Sequence, residues 1–76
     1  MEIIKAELNN EGTPVNKAVV KHNGKFYLVS ESNKFGLETL IFPSDSEGNV
    51  TNWLEVGGSR GVALHEVLAN FESELF

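Results

Sequence analysis

The chain has 76 residues, 41% of them hydrophobic, and a formal net charge of −5. That length makes one domain with a thin stability margin, because a chain of this size buries only about 60% of the surface its unfolded form exposes. It contains no cysteine, which excludes a disulfide or thiolate-zinc staple, and its acidic balance argues against free nucleic acid, which needs a basic stripe.

Ile3, Ile4, Ala6 and Leu8 predict a first strand near 2–8. A loop from Asn9 to Pro14 follows, then a second strand from Lys17 to His22. Asn23-Gly24 matches a type I′ hairpin turn, in which both central residues take positive φ. Phe26 to Ser30 is the returning strand, with Val20 opposite Tyr27 and Ala18 opposite Val29 on one face. Val19 opposite Leu28 and Lys21 opposite Phe26 lie on the other face. A turn at 32–36 leads to a fourth strand, Glu38 to Phe42, ended by Pro43. A polar connection carrying Glu47-Gly48 then precedes an expected fifth strand, Val50 to Val56. Gly12, Gly24, Gly36 and Gly48 stand twelve residues apart, the spacing of corners in a meander.

After Gly57-Gly58-Ser59-Arg60-Gly61 a single helix is predicted over about 61–75. Leu64, Leu68, Phe71 and Leu75 form its stripe, widened by Val67. Ser59 is the expected N-cap, and Val62 at the acidic position argues against a capping box. The expected fold is therefore α+β: an antiparallel β-meander of four or five strands with one C-terminal helix, over residues 1–76 as one domain.

Both faces of this sheet are apolar, and one short helix covers only one of them. Trp53 points away from Leu54 and Val56 in the expected fifth strand. The leftover apolar surface, including Tyr27 or Trp53, must close into a barrel, meet a second copy or meet a target. Self-association, most readily as a dimer, also suits a small domain with no staple.

Charge is unevenly placed. Residues 1–38 balance five lysines against five acids, whereas residues 39–76 hold Arg60 against Asp45, Glu47, Glu55, Glu66, Glu72 and Glu74. An acidic half suits a basic protein surface as well as plain solubility. Glu72 and Glu74 in the last helical turn oppose the helix dipole, so local propensity does not explain them.

Few residues suggest chemistry. The glycine-rich loop could offer Gly58, Ser59, Arg60 and Gly61 to an anion at the helix N-terminus, but it matches neither a Walker A nor a dinucleotide fingerprint. His65-Glu66 lacks a second histidine at 69, and His22 stands alone, so both read as surface residues. Asp45, Glu47 and Asn49 faintly resemble a calcium loop without its distal bidentate glutamate. No serine belongs to a nucleophile–base–orienter set. No enzyme, metal or cofactor is therefore expected. Nothing resembles a signal peptide or membrane span, and a cytoplasmic location is the default.

One stretch resembles a pattern seen in small bacteriophage-encoded proteins. It runs through Glu38-Thr39-Leu40-Ile41-Phe42, then Gly48-Asn49-Val50-Thr51-Asn52-Trp53 with Glu55 and Val56, then Arg60-Gly61 and His65-Glu66. The resemblance covers about residues 38–68 and implies a phage or prophage origin, in a bacterial host's cytoplasm. Compact acidic phage proteins often inhibit host proteins, including defence systems. The expected function is thus non-enzymatic binding of a host protein through Tyr27, Trp53, Glu55, Glu66 and Glu72. The alternative is capture of a small anion, such as a nucleotide, by the glycine-rich loop.

Overall fold

The computed structural model describes residues 1–76. Five strands, β1 (Glu2–Leu8), β2 (Pro14–His22), β3 (Lys25–Ser32), β4 (Glu38–Ser44) and β5 (Gly57–Arg60), precede two short helices, α1 (Leu64–Ala69) and α2 (Phe71–Glu74). The strands form one antiparallel sheet in the order β1-β2-β3-β4-β5. This is an α+β meander, as the glycine spacing predicts. All four spaced glycines adopt positive φ.

The β2–β3 hairpin has the expected register: Val20 faces Tyr27, Ala18 faces Val29, Val19 faces Leu28 and Lys21 faces Phe26. Its turn holds Asn23 at φ 51° and Gly24 at φ 79°, the paired positive values of a type I′ corner. The same alternation continues into β4, where Ile41 lies beside Val29.

The helices cover the face that carries Ala18, Val20, Val29 and Ile41. Leu64, Val67, Leu68 and Phe71 complete a buried cluster with them. Thr39 is fully buried in this layer, and its hydroxyl donates to the Val62 carbonyl at 2.7 Å. That bond satisfies the buried hydroxyl and fixes the approach to α1.

Three expectations are corrected. First, Val50–Val56 is not a strand. Val50 makes a single bridge to Ser44, the Asn52 side chain accepts from the Leu54 amide, and residues 51–56 are irregular. The place beside β4 belongs instead to Gly57–Arg60. A Cβ on Gly58 would run into the Thr39 carbonyl oxygen, and one on Gly57 would lie 2.9 Å from Ile41 Cδ1 and 3.0 Å from Leu75 Cα. Only glycine lets the backbones approach this closely. Most of the glycine-rich loop expected before the helix is therefore a strand, Gly57–Arg60.

Second, the helix does not run from 61 to 75. It begins at Leu64, and Asn70 (φ −124°, ψ 34°) divides it. The Asn70 amide and side chain both donate to the Glu66 carbonyl, which is how asparagine ends a helix in competition with the next turn. Leu75 leaves the helical stripe and bridges Gly57.

Third, Ser59 is not the N-cap, a position that falls to Ala63. With the start moved, the acid in the capping-box position is Glu66, whose carboxylate accepts from the Ala63 amide at 3.4 Å. Glu31, reaching over from β3, accepts from the Leu64 amide at 2.8 Å.

Candidate functional site

The second sheet face carries Val19, Leu28 and Phe42 side by side across β2, β3 and β4. Its cover is the long β4–β5 connection, a solution absent from the barrel, second-copy and target options weighed from sequence. The connection starts with a tight turn built on Asp45. Its carboxylate accepts from the amides of Glu47 (2.8 Å) and Asn49 (2.9 Å) and from the Asn49 side chain (3.1 Å). These donors, the Asn49 amide foremost, hold the Asp45 carboxyl below its ordinary value of 3.8.

The turn presents Gly48, at φ 89°, directly against Val19. A Cβ there would stand 2.8 Å from Val19 Cγ2, and Val19 is buried. Farther along, Trp53 meets Phe42 edge-on, with ring centroids 5.2 Å apart and planes at 65°. Despite that contact Trp53 is 74% exposed, and Leu54 beside it is 67% exposed. Glu55 is exposed as well. Trp53, Leu54 and Glu55 are thus three consecutive exposed residues, an apolar ridge that ends in a carboxylate and is anchored by Trp53 on the sheet face away from the helices.

The structure does not gather all the residues expected to bind a partner. Tyr27 is half-buried on the helix side, 5.5 Å from the Phe71 ring. Glu66 and Glu72 are exposed on α1 and α2. Only Trp53 and Glu55 share the ridge. Leu54 and the supporting Phe42 belong with them. Sequence reasoning misses Leu54 because the expected fifth strand assigns it to the core face. His22, read as a surface residue, packs half-buried against Phe71 at 5.2 Å; His65 is exposed.

The structural premise of the anion site is also corrected. Gly58, Ser59 and Arg60 lie in β5, paired with β4, and Gly61 follows it. The Ser59 hydroxyl donates to the Glu74 carboxylate, and Arg60 lies 3.7 Å from Glu38. At the true helix start the Ala63 and Leu64 amides already face the carboxylates of Glu66 and Glu31. Carboxylates thus stand at the Ser59 hydroxyl and at the Ala63 and Leu64 amides, while the Arg60 side chain remains exposed. The Ser59 bond also gives Glu74 a structural partner that sequence reasoning misses.

Two surface grooves remain. One, of about 480 Å³, separates the Gly48 turn from β1 and β2; the other, of about 520 Å³, lies between Phe26, Pro43 and the C-terminal Leu75-Phe76. No three His, Cys, Asp or Glu side chains are placed to hold a metal ion, and no helix is long and apolar enough to cross a membrane. Comparison with protein-family models, curated proteins and solved structures returns no match.

Proposed function

We propose that this chain is a non-enzymatic acidic binding protein that seats the Trp53–Leu54–Glu55 ridge on a basic protein surface. The exposure of Trp53 carries the reading. A tryptophan resting on Phe42 with most of its surface in water is a preformed anchor, and such residues dominate binding energy where a partner desolvates them. The net charge of −5, all of it from residues 39–76, would favour encounter with a positive patch. The resemblance over residues 38–68 supplies the setting by analogy: a phage-encoded inhibitor acting on a bacterial host protein.

The test is capture from host lysate by immobilised wild-type chain and three variants. Trp53→Ala and Glu55→Lys are expected to lose a partner that a Glu66→Lys, Glu72→Lys double variant retains. For Trp53→Ala, a loss of about thirtyfold in affinity is expected of a central anchor. Equal recovery by Trp53→Ala and wild type would remove the ridge from the function.

A further inference from the structure

The two sheet edges are treated differently. At β5 the C-terminal residues occupy the free side: Leu75 bridges Gly57, and the Phe76 amide donates to the Val56 carbonyl at 2.9 Å. At β1 no element pairs with the outer side of a seven-residue strand. The helix layer rests on β2 and β3, and beyond it Ile3 is 45% and Leu8 56% exposed, with Ile4 also exposed. An open edge with uncovered apolar side chains is a template for another strand.

The order of charges in β1 selects the occupant. In an antiparallel pair of two identical strands, the residue at the twofold axis faces itself, and residues directly opposite share a face. Centring on Lys5 sets Lys5 against Lys5. Centring on Glu7 sets Glu7 against Glu7. Centring on Ala6 sets Lys5 against Glu7 twice and Ile4 against Leu8 twice, with Ala6 against Ala6. Ala6 packs against the core and faces Ala18, and Ile3 faces Val20 on the same side. The same register therefore also sets exposed apolar side chains, Ile4 of one copy and Leu8 of the other, opposite each other at the junction.

We propose that β1 pairs with β1 of a second copy, centred on Ala6, to make a continuous ten-stranded sheet. The register irregularities between Ile3 and Lys5 and between Ala6 and Leu8 are of the kind that discourages edge pairing. Self-complementary charge and apolar order overrides them here. The surface is separate from the Trp53 ridge, so a failed partner capture leaves this pairing untouched.

The experiment is sedimentation or light scattering on the full chain, with Lys5→Glu, Glu7→Lys and the double exchange. Wild type is expected at twice 8.4 kDa. Each single variant places like charges at both pairs and is expected to weaken the dimer about tenfold or more. Both residues are exposed, so unchanged circular dichroism and melting of the monomeric form would separate this loss from unfolding. The double exchange restores the dimer. An equimolar mixture of the two single variants also restores it, because one chain then carries an acid at both positions and the other a base at both, so every cross-strand pair is opposite in sign. A monomeric wild type at high micromolar concentration would overturn the proposal. So would a dimer insensitive to Lys5→Glu, which would place the interface elsewhere.

Discussion

Individual residues are held by close approach and by short polar contacts. Gly58 is the strictest case, combining φ 119° with no room for a Cβ beside the Thr39 carbonyl. Gly58→Ala is expected to cost about 3 kcal/mol or more, from backbone strain together with overpacking. Gly12 has φ 79° with open space around it, so Gly12→Ala should cost only about 1–2 kcal/mol. Chemical denaturation of the two variants measures the difference; equal losses would show that positive φ alone matters. Asp45 gives the turn over Val19 a pH dependence. Its folded pKa lies below the ordinary 3.8, so the folded state binds fewer protons than the unfolded one. The stabilisation is fully present above about 3.8 and is lost as pH falls through the lowered value. Asp45→Ala is expected to lose stability at neutral pH and to melt more nearly like wild type in strong acid. A difference that stays constant down to the lowest pH would show that the carboxylate's charge is not what the turn uses.

At the scale of elements, the β2–β3 hairpin and the helical pair are stabilised in different ways. The hairpin combines its own turn chemistry with alternating apolar pairs, so local and tertiary preferences agree. The helices are only six and four residues long, too short to persist without packing. Their stability comes from Leu64, Val67, Leu68 and Phe71 on the sheet. Leu68→Ala is expected to cost about 2–5 kcal/mol, enough to unfold a domain of this size in large part. A melt like that of wild type would mean that α1 contributes little to the core. Glu31→Ala should cost about 1–2 kcal/mol, because it strips a carboxylate acceptor from the part-buried Leu64 amide. Loss of helical signal with an intact sheet spectrum would identify that contact as the tie between β3 and α1.

At the scale of the whole molecule, the sheet is covered on one face by helices and on the other by a folded-back connection. Gly48 seals Val19, while Trp53 lies over Phe42 and remains in water. Trp53→Ala should therefore change stability by about 1 kcal/mol or less, and the single tryptophan should show red-shifted emission readily quenched by acrylamide. A blue-shifted, protected emission would mean that Trp53 is already covered, by another copy or by a different packing. The sequence by itself determined the meander, the Asn23-Gly24 corner, the register of β2 with β3 and the main helical stripe. Those features rest on period and turn chemistry, which act between residues close along the chain. Tertiary structure alone decided that Gly57–Arg60, and not Val50–Val56, lies beside β4. It also moved the helix start to Leu64, separated Tyr27 from Trp53, and set carboxylates where an anion was expected. Each of these outcomes depends on backbones and charges meeting across the sheet, such as Gly58 against Thr39 and Glu31 against Leu64, and no spacing along one segment records such a meeting.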